Sequence, residues 1–75
     1  MSLKELKEGQ KATIISLPFD NDNYLHKILA MGLLPGVEVE KIIDYPAIVI
    51  DAGYSRFSLD SNLGSEIKVK QNIIY

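Results

Sequence analysis

Seventy-five residues with a formal charge of −2 and no cysteine make one domain, spanning residues 1–75. The missing cysteines exclude disulfides and thiolate zinc sites, so apolar packing must carry the stability of a chain this small. The eight Lys and Arg are scattered singly against ten Asp and Glu, so no linear basic tract marks a nucleic-acid partner.

The opening Met1-Ser2-Leu3-Lys4-Glu5 has no apolar stretch behind a basic start, so no secretory leader is expected and the location expected is cytoplasmic. The longest apolar runs, Ile28 to Met31 and Ala47 to Ile50, fall far short of the roughly 20 residues that cross a bilayer, so direct membrane insertion is not expected. Ser2 and Glu5 have the spacing of a capping box. With Leu3 and Leu6 they suggest one short helical turn ended by Gly9.

Gln10 to Leu17 reads as a strand, with Ala12, Ile14 and Ser16 on one face and Thr13, Ile15 and Leu17 on the other. Pro18 ends it, and Asp20-Asn21-Asp22-Asn23 offers helix caps. Tyr24, Leu25, Ile28 and Leu29 follow at helical spacing, until Gly32 stops the helix in a left-handed conformation. Pro35-Gly36 fits a tight turn. The rest reads as β: Val37 to Ile42, with Val37, Val39 and Lys41 against Glu38, Glu40 and Ile42; Ala47 to Asp51; Tyr54 to Leu59; and Glu66 to Lys70. Asp44-Tyr45-Pro46 and Ala52-Gly53 separate the strands, and Asp60 to Gly64 reads as a polar turn pinned by Leu63. Ile73-Ile74-Tyr75 either extends the last strand or docks separately. The expected fold is mainly β: a small five-stranded barrel with one short α-helix between strands 1 and 2, closed so that no edge stays exposed.

Few residues suggest chemistry. His26 stands alone, with Asp22 one turn earlier on the same helix face. Two ligands fall short of a structural metal site, so the pair reads as a solvated face. Glu38 and Glu40 share a strand face, but their alternation with Val37 and Val39 makes them the polar side of an amphipathic strand. No phosphate loop, Cys nucleophile or Ser/His/Asp order is present, so no enzyme is expected. Tyr24, Tyr45, Tyr54 and Tyr75 are too scattered for a polyproline groove. Met31, Leu33 and Leu34 are too close to share one core, which leaves two readings: one of them, Leu34, docks a partner, or all pack in the bend.

The run Ile28-Leu29-Ala30-Met31-Gly32-Leu33-Leu34-Pro35-Gly36-Val37-Glu38-Val39 resembles the hallmark of the FeoA family, and Leu3 to Gln10 resembles the family's opening. Met31, Gly32, Leu33, Pro35 and Gly36 form the most specific part, a structural motif without nucleophile or ligand. Two departures stand out: the short Asp44-Tyr45-Pro46 loop, and Asp60 and Gly64 where many members carry Arg and Ala. The resemblance implies an SH3-like barrel and a cytosolic companion of FeoB, the membrane GTPase that takes up ferrous iron. It implies no cofactor, and Leu33, Leu34 and Arg56 are the contact residues to test, Arg56 against the alternative of a plain surface residue. Weak self-association stays open. The alternative reading is a metal- or anion-responsive sensory domain, like those appended to iron-dependent repressors.

Overall fold

A computed structural model describes residues 1–73. The elements run β1 (Lys11–Ser16), α1 (Asp22–Ala30), β2 (Glu38–Ile43), β3 (Ile48–Ala52), β4 (Ser55–Leu59), α2 (Ser61–Glu66) and β5 (Lys68–Gln71). All five strands belong to one antiparallel sheet in the order β4-β3-β2-β1-β5.

Alternation puts Ala12, Ile14, Val39, Ile48, Ile50, Leu59 and Val69 inside, where they pack with Leu3, Leu6, Ile28, Leu33, Leu63 and Ile67. Two bulges bend the sheet around this core. One lies between Ile14 and Ser16 of β1 and the other between Lys41 and Ile43 of β2. The first shifts the phase of the strand by one residue. Leu17, expected on the outer face, is therefore turned inward and is buried.

Closure of the barrel by ladder hydrogen bonds is not observed, since β4 and β5 are the two ends of the sheet. The N-terminal segment covers the β5 end instead. Ser2 bridges Lys68, the Val69 N–H donates to the Met1 carbonyl (2.8 Å), and the Leu3 N–H donates to the Ile67 carbonyl (2.9 Å). The Glu5 carboxylate accepts from the Ser2 N–H (2.8 Å), which closes the turn and holds the Glu5 carboxyl below its ordinary pKa.

The helix-to-strand bend is built from backbone geometry. Gly32 has φ +72° and its N–H donates to the Leu29 carbonyl, while the Leu33 N–H reaches the Ile28 carbonyl (3.2 Å). This pair of bonds is a Schellman cap, and its accompanying apolar contact joins Leu33 to Ile28 in the core. A β-turn follows from Leu34 to Val37, with Pro35 second and Gly36 third at φ +96°, as a type II turn requires. The Ile14 backbone then takes both Gly36 and Val37 as partners, which locks the bend onto β1.

The segment after β4 corrects the sequence reading. Asp60 to Gly64 is not a turn: residues 61–66 form α2, with Asp60 as N-cap accepting from the Leu63 N–H (2.7 Å). Leu63 and Gly64 are buried. A Cβ on Gly64 would stand 2.4 Å from Ile48 Cδ1, so a larger residue there requires the end of the buried Ile48 side chain to shift.

Lys41 of β2 is wholly buried. Its ammonium donates to the Lys4 carbonyl (2.9 Å) and to Asp44 Oδ1 (2.5 Å). It thereby pins the N-terminal turn and the β2–β3 corner to the sheet. The Tyr45–Pro46 peptide in that corner is cis.

Two stability outcomes follow from these contacts. Gly64→Ala is expected to destabilise by about 1 kcal/mol, since crowding of a packed core exceeds the gain in helix propensity. In an Ile48→Val background, which lacks Cδ1, the same change should stabilise by up to about 1 kcal/mol; urea midpoints of the four chains give the sign. Asp44→Ala leaves the buried ammonium one partner short and should cost about 2 kcal/mol. Adding Lys41→Met should recover most of that loss in the same measurement.

Candidate functional site

No group of three or more His, Asp or Glu side chains capable of holding a metal occurs among the described residues. Asp22 and His26 both lie on the exposed face of α1, whose N-cap Asn21 accepts from the Tyr24 N–H (3.1 Å). Glu38 and Glu40 lie on the outer face of β2. Glu38 accepts from the Asn72 side-chain Nδ2 (2.6 Å), and Asn72 Oδ1 accepts from the Thr13 hydroxyl (3.0 Å). Sequence reasoning missed Asn72, because an Asn beyond the last strand carries no signal of a clamp spanning 59 and 34 positions.

Glu40 stands in a row of charges across four strands. Lys11 of β1 faces Glu40, Glu40 faces Asp51 of β3, and Asp51 faces Arg56 of β4. The Glu40 and Asp51 carboxylates are direct cross-strand neighbours, a placement that costs energy unless cations offset it. Arg56 supplies that offset. Its Nε and Nη2 donate to the two Asp51 oxygens at 2.6 and 3.0 Å. The pairing holds the Asp51 carboxyl below its ordinary range and raises the guanidinium, through the hydrogen bonds first and the charge second. Arg56 is thus engaged within its own sheet.

Leu33 and Leu34 separate at the bend. Leu33 is 0% exposed and belongs to the core, which corrects its place among the contact residues: the Schellman geometry turns the second residue after the helix inward. Leu34 is 47% exposed, and Leu29 on α1 is 44% exposed. The two flank Gly32, whose N–H bonds Leu29 and whose carbonyl accepts from Leu34, so both leucines stand at the same end of α1. Met31 is partly buried against the core. Tyr45 and Tyr54 are exposed but lie at opposite ends of β3, Tyr24 is partly buried, and Ile74 and Tyr75 lie outside the described residues. No contiguous aromatic groove forms among the described tyrosines.

Several polar side chains of the described residues thus serve caps, clamps and charge pairs of the fold itself, and apolar side chains stand exposed both at the rigid bend, Leu29 and Leu34, and elsewhere, among them Ile15, Phe19 and Ile43. The five-stranded antiparallel sheet with its short α1 is the organisation of a small SH3-like β domain. The family comparison agrees: the FeoA domain model matches residues 1–71, and the chain belongs to the FeoA family. An iron uptake regulatory protein of that family is similar at 25% identity and a TM-score of 0.87, with 96% of each chain covered. A zinc-complexed FeoA of Stenotrophomonas maltophilia, described as an SH3 domain protein and a candidate activating factor of ferrous iron transport, is similar at 21% identity and a TM-score of 0.78, over 93% of this chain and 89% of that one. The fold also recurs in the IdeR protein of T. acidophilum, at 17% identity and a TM-score of 0.89, where 96% of this chain covers 34% of that one. No curated protein matches.

The Asp51–Arg56 pair makes a pH outcome definite. A depressed carboxyl pKa contributes stability that is complete above the ordinary Asp value of 3.8 and fades as pH falls through the folded value. Arg56→Ala should return the Asp51 titration upward toward that value, followed by NMR of the side-chain carboxyl.

Proposed function

We propose that this chain is a non-catalytic accessory protein of bacterial ferrous iron uptake, which acts in the cytoplasm by binding a FeoB-type membrane GTPase transporter and regulating it. The observation that carries this reading is the family match over nearly the whole chain, residues 1–71. The regulatory and activating descriptions of the two FeoA relatives support the same role. No helix among the described residues is long and apolar enough to cross a membrane, so any action on a transporter runs through surface contact.

Leu34 is the residue assigned to that contact. It is exposed, apolar and held on a bend fixed at both ends, so little conformational freedom is lost when a partner covers it. Arg56 fits the contact less well, since releasing it to act on a GTPase would expose the Glu40 and Asp51 carboxylates to each other.

Leu34→Asp should keep the fold, as judged by amide dispersion, and weaken capture of the detergent-solubilised transporter at least about tenfold. Undiminished capture by the folded variant removes Leu34 from the interface. Calorimetry with Fe(II), Mn(II) and Zn(II) separates this adaptor from a metal-responsive domain: the adaptor gives no saturable heat.

A further inference from the structure

The two ends of the sheet are treated differently. At the β5 end, residues 1–3 cover part of the strand, and Lys68 and Lys70 add charge. Both are ordinary ways of blunting an edge against further pairing. The β4 end has no such cover, and its one charge, Arg56, is already paired with Asp51 of β3. It contains no proline and no lysine, and its register against β3 is unbroken from Ser55 to Leu59. None of its backbone groups bonds a turn or loop among the described residues, and β3 is the one element running alongside it. Ser55, Arg56 and Ser58 are exposed.

The sequence of this edge is complementary to itself when run antiparallel. From Arg56 to Asp60 it reads Arg-Phe-Ser-Leu-Asp. Asp60 caps α2 with an extended backbone (φ −75°, ψ 162°), so the strand direction continues through it. With a period of two, Arg56, Ser58 and Asp60 share the outer face, while Phe57 and Leu59 face the core. We infer that β4 is a homodimer edge, pairing antiparallel with β4 of a second copy about a two-fold axis at Ser58. In that register Arg56 faces Asp60 of the second copy and Phe57 faces its Leu59, and symmetry repeats both pairs.

The neighbouring registers are poorer. Residues facing each other across an antiparallel pair must point to the same face, so the axis falls on a residue. An axis at Phe57 sets Arg56 against Ser58, and an axis at Arg56 sets two guanidinium groups against each other. Both charged groups also keep a free hydrogen-bonding position. Arg56 uses Nε and Nη2 on Asp51, leaving Nη1, and Asp60 uses Oδ1 on the Leu63 N–H, leaving Oδ2. The joined edges make one ten-stranded sheet, counted as five strands from each copy. An edge this short buries less than the roughly 1,000 Å² of a tight complex, so the dimer is a weak one, set by protein concentration.

Sedimentation equilibrium of the full chain from about 10 μM to about 1 mM tests the edge. A concentration-dependent dimer is expected. R56D makes both outer places acidic and D60R makes both basic, and each should weaken self-association about tenfold or more. Mixed in equal amounts, the two variants should form a heterodimer, because every cross pair then joins opposite charges. Asp60→Asn keeps the cap and removes the charge, so its weaker dimer separates the contact from damage to α2; amide NMR confirms that each chain is folded. A monomer throughout the range, an R56D chain that dimerises like the parent, or a mixture that fails to associate overturns the inference.

Discussion

A buried ammonium group holds three parts of this protein in one place. Lys41 is fully removed from water, and an uncompensated charge there would cost several kcal/mol. Its two acceptors come from segments far apart in sequence: the Lys4 carbonyl in the N-terminal turn and the Asp44 carboxylate at the β2–β3 corner. Satisfying the ammonium therefore requires both segments to be in position. The same turn then seats Leu3 and Leu6 in the core, and the Lys4 N–H reaches the Gly64 carbonyl of α2 at 3.3 Å. The Glu8 carboxylate completes the arrangement by accepting from the Asp44 N–H at 2.8 Å. A chain without disulfides uses this network, with the apolar core, to hold ends that the sheet ladder does not close.

How much of this was legible depends on what each element rests on. The bend from Met31 to Gly36 could be read directly, because two of its residues need positive φ and one needs a fixed φ, and only glycine and proline meet those demands cheaply. The strands followed from alternation, but the full burial of Lys41 did not, because a lysine in line with Val37 and Val39 gives no sign of the acceptors that await its ammonium. The bulges left no trace: Ile14-Ile15-Ser16 and Lys41-Ile42-Ile43 look like any other strand residues, and the register shifts come from the need to wrap a sheet around a small core. Helix α2 was illegible for a related reason. Ser61-Asn62-Leu63-Gly64-Ser65-Glu66 has the composition of a turn, and its helix exists because Asp60 caps it and Leu63 is drawn into the core.

The contact surface was less legible than the fold, for a physical reason. A catalytic or metal site demands certain residue types at certain distances, whereas a docking site demands only exposure, shape and rigidity. Leu33 and Leu34 are the same residue type in adjacent positions. What separates core from surface is the cap geometry, which sends Leu33 onto Ile28 and leaves Leu34 outside. Arg56 could be singled out as the one arginine, but its partner, Asp51, is visible only once the register of β3 and β4 is known.

The departures from the family pattern become intelligible as a set. Asp60 occupies a place where the family resemblance puts arginine in many members, and here it makes the N-cap of α2, which an arginine side chain cannot do because it has no acceptor. Gly64, where the family resemblance places alanine in many members, lets the helix lie against Ile48 without displacing the Cδ1 methyl, which a Cβ would meet at 2.4 Å. The two changes belong to one local solution: a short, poorly helical segment fixed by its cap at one end and by close approach at the other. The same carboxylate keeps one oxygen free at the end of β4, four residues from the guanidinium it complements in a second copy. A substitution that serves the helix thereby also sets the charge pattern of the exposed edge.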